Sequence, residues 1–347
     1  MSIAPNQTAA NTSLQSINGL PTKEEAKKVF WGLGDRFWMQ IIDGKNHQHG
    51  PRVYDEGLHK GDKEPGFFAS LKKGCLFASE HFGEKLTVSF YRELHKNLCA
   101  HFNGKNTCTE IGLDKIGCFR NCKCRCRMPI REFNAESKAH YAIVKTYDKE
   151  NLYILQKQNP EKYQKLCSAY PYSKKWVEGW ENAWEQKTQE LECYVAETCK
   201  RLGVQKFVTI HKLDSVITVH YDCISPEEHE RIVQKLFDCY NLEIQKINGV
   251  LSMLKNGLKE EEIQQAIEDK VSVIAGLFQL LEWLHPFFDG QGRTDLVLQA
   301  MLLAQEGANP PVLKNPYFST WALFPDWKEC LLKGIEVWKA EKTAKKV

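Results

Sequence analysis

The sequence predicts an all-α protein carrying a single β-hairpin. Most of the chain shows apolar residues recurring at the three- and four-residue spacing of a helix with one buried face. Only 207–219 changes period, to two short β-branched runs separated by a polar turn. Helix start and stop signals bracket the periodic stretches. A chain of 347 residues is long enough for a sizeable core, and 42% apolar with 26% charged residues is an ordinary globular balance. A net charge of +3 lacks the basic surplus of a nucleic-acid binder. No apolar run reaches the ~18 residues of a membrane span. Residues 1–20 have neither the basic start nor the apolar centre of a secretory leader, so a soluble, cytoplasmic protein is expected. The 13 cysteines then read as reduced thiols.

Residues 1–20 are polar and read as a disordered tail. Thr22, with Glu25 three residues on, opens a helix whose stripe is Val29, Phe30, Leu33, Phe37 and Ile41. Residues 43–70, rich in Gly, Pro, His and Asp, read as loop. The next helix covers 84–102, with Thr87 as cap and Phe90, Leu94 and Leu98 as stripe. Residues 103–132 read as a loop holding Cys108, Cys118, Cys122, Cys124 and Cys126, and 135–170 as partly helical. A helix over 173–202 presents Trp176, Trp180, Trp184, Leu191, Val195 and Leu202, with Gly203 as its stop. The hairpin pairs 207–210 with 216–219. Ser225-Pro226-Glu227-Glu228 starts a helix running to about Ile247. Further helices cover about 259–284, with Ile263, Ile267, Val271, Ile274, Phe278 and Leu281 on one stripe, and Arg293 to about Gly307. Pro310 and Pro311 break the pattern before a last helix over 319–341 with Trp321, Phe324, Leu331 and Val337.

The chemistry concentrates in His285-Pro286-Phe287-Phe288-Asp289-Gly290-Gln291-Gly292-Arg293, between two helices. A glycine-rich turn at a helix N-terminus aims backbone N–H groups outward, where the helix dipole favours an anion. Gly290 and Gly292 let the backbone approach a phosphate closely. Arg293 adds a planar cation suited to phosphate oxygens. Asp289 is a hard oxygen donor of the kind that holds Mg²⁺ beside phosphates. The His285 imidazole can accept a proton near neutral pH. Together these groups suit phosphoryl or nucleotidyl transfer. Each has a blander alternative: a core histidine beside a kinked turn, a surface salt bridge at Arg293, an N-cap at Asp289.

The stretch resembles the signature of the Fic family, His-Pro-Phe-x-Asp/Glu-Gly-Asn-Gly-Arg-x-x-Arg, and through Arg293 departs from it only at Gln291. Leu280–Leu284 before the loop and 300–313 after it resemble the flanking helices of that family. Leu86-Thr87 and Leu94-His95 resemble its early helix, and the hairpin at 205–222 resembles its flap, whose edge pins a target segment by strand addition. The resemblance implies a Fic-type helical bundle over 75–335, with a flap hairpin and a large insertion at about 104–200. A helix and loop at 21–74 would precede it, and a helix end at 336–347 would follow.

The resemblance also implies roles. His285 would be the general base toward a Ser, Thr or Tyr hydroxyl of a target protein. Asp289 would hold Mg²⁺. Gly290, Gln291 and Gly292 would cradle phosphates, and Arg293 would bind a phosphate of the donor, usually ATP. Phe287 would anchor the loop. Two departures bear on the donor. Gln291 is one methylene longer than Asn, and Leu296 stands where the second Arg of the signature would be. No inhibitory Ser/Thr-x-x-x-Glu-Gly/Asn segment is found. Family members with altered loops use UTP or CDP-choline or remove an adduct, and a non-catalytic nucleotide- or protein-binding module is the alternative outside enzymes. A stand-alone Fic protein with an insertion and polar tail is similar to bacterial effectors delivered into host cells.

Cys118, Cys122, Cys124 and Cys126 crowd into nine residues among Arg120, Lys123, Arg125 and Arg127. Zinc sites usually pair two Cys units well apart in sequence, so zinc, a redox-sensitive loop and a plain basic loop all stay open.

Overall fold

The computed structural model describes residues 22–31, 41–42, 52–56, 64–101, 115–129, 160–161, 188–213, 216–253, 259–313, 316–320 and 322–344. Of 52–53, 124–129, 211–213, 216–218, 317 and 341–344 only the backbone is described.

Helix α1, Lys23–Trp31, starts on the expected capping box: the Thr22 N–H donates to Glu25 Oε2 at 2.8 Å and the Glu25 N–H to Thr22 Oγ1 at 3.2 Å. It buries Ala26 and Phe30. Leu33 and Phe37 of its expected stripe lie outside the described residues.

The loop expected over 43–70 is interrupted by a helical turn at Arg52–Asp55 and by helix α2, Phe67–Glu80. No capping residue next to α2 announces it. Its N-terminal N–H groups are met from a distance: Asp55 Oδ1 accepts from Gly66 at 2.6 Å and Oδ2 from Phe68 at 3.2 Å. Helix α3, Val88–Leu98, begins at Thr87, whose Oγ1 accepts the Phe90 N–H at 3.2 Å. It packs on α2 and buries Tyr91, Leu94 and Leu98.

The loop expected over 103–132 is corrected at its end, where Cys124–Pro129 forms strand β1. The expected hairpin is present as β2, Val208–Leu213, and β3, Val216–Tyr221. The strands form one antiparallel sheet in the order β1-β3-β2, with Tyr221 opposite both Cys124 and Val208. The alternating Cys and Arg of β1 carry little strand propensity, so the open edge of β3 makes the strand.

Helix α4, 188–202, buries Leu191, Val195 and Leu202 and stops at Gly203 with φ 60°. Trp176, Trp180 and Trp184, with Cys108 and 135–159, lie outside the described residues. Helix α5, Pro226–Met253, runs past its expected end near Ile247, leaving Val250 and Met253 exposed. Ser225 Oγ accepts the Glu228 N–H at its start.

Helices α6, Glu260–Leu284, and α7, Gln291–Gln305, enclose the loop. Every residue of α7 from Thr294 to Ala304 is buried, because α1, α2, α3, α6 and the 3-10 turn Pro316–Thr320 surround it. Helix α8, Phe324–Ala344, covers α6 with Trp327, Leu331, Ile335 and Trp338, and Trp327 Nε1 donates to Ala275 O at 3.1 Å. Val337, expected on that stripe, is exposed, and Trp321 lies outside the described residues. One apolar core runs from Ala26 to Trp338. The boundaries expected at 74/75 and 335/336 therefore fall inside α2 and α8, and neither separates two cores.

Candidate functional site

The loop expected to carry chemistry joins the C-terminus of α6 to the N-terminus of α7, so its side chains are held by two core helices. His285 caps α6 at φ 45° and ψ 58°, the one non-glycine residue with positive φ among the described residues. Helices often end in this conformation on glycine; a histidine there is strained by about 1–2 kcal/mol. Its ring stacks on Tyr221, centroids 4.4 Å apart. Its Nδ1 is buried with no hydrogen-bond partner among the described residues. Burial, reinforced by the charges of Arg120 and His229, pushes the imidazole down to about 3. The ring is therefore neutral near pH 7, the form that accepts a proton.

Phe287 is fully buried, stacks on His95 at 3.9 Å and pairs across an antiparallel bridge with Phe119. His95 Nδ1 accepts the Gly117 N–H at 3.0 Å, so Nε2 carries the proton and donates to Asp289 O at 2.7 Å. Gly290 is left-handed at φ 72°, and a Cβ there would lie 2.3 Å from Cys99 Sγ. Its N–H donates to Asp289 Oδ1 at 2.6 Å. The α7 amides that follow start a helix, and such leading N–H groups have no intrahelical acceptor.

The structure brings His285, Asp289, Gly290, Gly292 and Arg293 onto one loop and the first turn of α7, and turns the Gln291 side chain away. That side chain is buried: Nε2 donates to Tyr91 Oη and Asp295 Oδ2, both at 2.6 Å, and Oε1 accepts the Phe287 N–H at 3.2 Å. The expectation of an amide laid against phosphates is corrected to an amide that ties the loop to α3 and α7. The extra methylene of Gln reaches this inward network.

The network continues through Tyr91 Oη, which donates to Asp295 Oδ1 at 2.5 Å, to Glu282. Burial pushes Asp295 up to about 7, and burial with Asp295 beside it pushes Glu282 up as well. The folded state thus holds protons that the unfolded chain releases near pH 4. This contribution to stability is full below about pH 4 and is lost as pH rises through about 7. Glu282→Gln mimics the protonated acid. Its unfolding midpoint in urea, relative to wild type, is expected to be higher at pH 8 than at pH 5. An equal difference at both pH values would mean the pair holds no extra proton.

Arg293 is engaged by a protein carboxylate. Nη1 donates to Glu64 Oε2 at 3.0 Å and Nη2 to Oε1 at 3.4 Å, with the guanidinium 4.7 Å over the Phe67 ring. Burial alone would raise the Glu64 carboxyl, but the His101 hydrogen bond and the Arg293 charge outweigh it and hold it at about 2. Glu64 is ionised and occupies the cation that a phosphate would use. Glu64→Gln, which keeps the shape and removes the charge, is expected to tighten ATP or ADP binding on the order of tenfold in calorimetric titration, because fewer molecules then hold Arg293 closed. Unchanged affinity would take Arg293 out of the nucleotide site.

Leu296 is buried in the core and presents no polar group to the loop. Sequence reading did not assign Tyr91, Glu64, Arg120 or His229, and it quoted His95 only for the early helix. Tyr91 adjoins the Phe90 stripe of α3, and a buried tyrosine needs a polar partner. The others act across long sequence separations and leave no local trace.

Asp289 suits a divalent cation held jointly with phosphates: a carboxylate steadied by the Gly290 N–H on the half-buried rim of the loop. Among the described residues no three His, Cys, Asp or Glu gather around a metal-sized site. The described side chains do not include Cys124 and Cys126; Cys118 is half-buried and Cys122 exposed, and neither is in a disulfide among the described residues. No helix among the described residues is long and apolar enough to cross a membrane. Compared with known proteins, the chain matches no family model and none of the curated proteins.

Proposed function

We propose that this protein is a Fic-type transferase that moves a nucleotide monophosphate, AMP from ATP in the first instance, to a Ser, Thr or Tyr hydroxyl of a target protein. One observation carries the reading. A histidine is held left-handed at the end of one core helix, five residues before Gly290, the glycine that caps the N-terminus of the next. Nothing in the packing of an ordinary helix turn asks for a strained histidine there, and strain of this kind clusters at functional sites.

His285 takes the proton of the acceptor hydroxyl as its oxygen bonds to the α-phosphorus of the donor. The bond from that phosphorus to the bridging oxygen breaks, and with ATP pyrophosphate leaves carrying the electron pair. The amides at the start of α7 and the Arg293 guanidinium, once Glu64 yields it, stabilise charge on the phosphate oxygens. Mg²⁺, held by Asp289 and the donor, would supply charge neutralisation. With β1 and β2 on either side of β3, an acceptor segment adding a strand must use the outer edge of β1 or β2.

A second reading changes the donor. Buried Leu296 offers no grip on a terminal phosphate, and Arg293 is already paired, which favours a donor without a γ-phosphate, such as CDP-choline, or removal of an existing adduct. The test is intact mass of the protein and candidate targets after incubation with Mg²⁺ and ATP, UTP, GTP or CDP-choline, wild type against His285→Ala. A mass gain specific to one donor and lost in the variant establishes the transferase and its donor. Nucleotide binding with no gain from any donor points to adduct removal or to a binding module.

A further inference from the structure

We propose that Arg120, in the long insertion, is a positioning residue that holds His285 in its working backbone conformation; the catalytic consequence rests on the transferase reading, the geometry does not. Arg120 lies just before β1 and is fully buried. Its backbone N–H donates to Pro286 O at 2.7 Å and its Nε to His285 O at 2.5 Å. Nη2 donates to Leu284 O at 3.2 Å, and Nη1 to Cys122 O at 2.5 Å and Asp222 O at 2.8 Å. Three consecutive carbonyls, from Leu284 at the end of α6 to Pro286, thus accept from one residue, and two more, of Cys122 and of Asp222 just after β3, tie it down from the other side.

Every one of these partners is a carbonyl. Among the described residues no carboxylate lies within ion-pair distance of this guanidinium. Burying an arginine without a counter-ion is costly, and it is matched here by the negative end of α6, whose last carbonyls have no intrahelical donors. Closing a helix end does not require this, since a glycine suffices. The particular result of Arg120 is a fixed carbonyl orientation on both sides of His285, which sets the ψ of a residue that would otherwise relax from φ 45°. Tyr221 supports the same arrangement from the ring side: it stacks on His285 and lies 5.9 Å from the Arg120 guanidinium. Backbone and ring of His285 are thereby held by two elements outside the loop, the insertion and the hairpin. Arg120 touches no reacting atom in the proposed chemistry.

The experiment compares wild type with Arg120→Met and Arg120→Lys in the full chain. The readout free of activity is the backbone ¹³Cα and ¹³Cβ shift of His285 with amide exchange at His285 and Phe287. Wild type is expected to show left-handed shifts and protection. Arg120→Met should move the shifts toward ordinary helix and raise exchange, with Arg120→Lys between. For transfer, Arg120→Met should lower kcat by about 100-fold, the scale of an ångström's misplacement. Donor Kd should change by less than about threefold, since a change of that size leaves the α7 amides and Arg293 intact. Wild-type shifts, exchange and kcat in a folded Arg120→Met protein would overturn the proposal. So would equal loss of kcat and donor binding, or global unfolding of both variants, which would assign Arg120 to the fold at large. If wild type transfers nothing from any donor, the transferase reading fails while the His285 shifts still decide this one.

Discussion

Transfer by His285→Ala is expected to fall by about 10²- to 10⁴-fold, the usual contribution of a positioned general base. Donor affinity should hold, because the phosphate-facing groups lie at Gly290 and beyond. The pH profile gives a second check. Burial and the neighbouring positive charges keep the His285 imidazole neutral down to about pH 3. The rate should therefore not fall on acidification from pH 8 through the ordinary histidine value of about 6.5. A drop centred there would mean the ring is solvated and titrates freely. The same shift has a stability consequence of fixed sign: its contribution is full above about 6.5 and is lost as pH falls through about 3.

His285→Gly separates strain from chemistry. Glycine adopts φ 45° without penalty, so this variant should be about 1 kcal/mol more stable than His285→Ala while being equally inactive. The comparison uses urea midpoints of the two variants. Equal midpoints would show that no strain is stored at this position. A more stable glycine variant would show that the chain keeps a costlier residue where the chemistry needs it.

Gly290→Ala is expected to destabilise the protein by about 2–4 kcal/mol. Roughly 1 kcal/mol comes from placing a Cβ at left-handed φ, and about 1–3 kcal/mol from overpacking against Cys99 Sγ, 2.3 Å from the new atom. Cys99 is buried on α3's C-terminal turn beside His95, so it has little room to yield. The two parts separate in a double variant. Cys99→Ala should recover the overpacking part in the Gly290→Ala background and leave the backbone part, giving a coupling energy of about 1 kcal/mol or more. If Gly290→Ala melts like wild type, the close approach of α3 to the loop is not as described.

Much of the helical framework was legible in the sequence. The stripe of α6, the cap at Thr87 and the capping box at Thr22 and Glu25 are local devices, and local periodicity reports them directly. The paired β-branched runs gave the hairpin for the same reason. The loop between the two helices was legible too, since its proline and glycines fall within a few residues of one another. Helix α2 was not, because its cap is Asp55, eleven residues from the Gly66 N–H it accepts. Strand β1 was not, because its partner edge lies on β3, near residue 220.

The sequence by itself determined that a His-, Asp-, Gly- and Arg-bearing stretch would lie between two helices. Only the tertiary structure decided which way those residues point. It turned Gln291 inward to Tyr91 and Asp295, placed Glu64 on Arg293, and fixed the backbone of His285 through Arg120. The reason is physical. Helix period and turn chemistry are set by neighbours a few residues apart, whereas the partners of buried polar groups come from whichever distant segments the packed core brings against them.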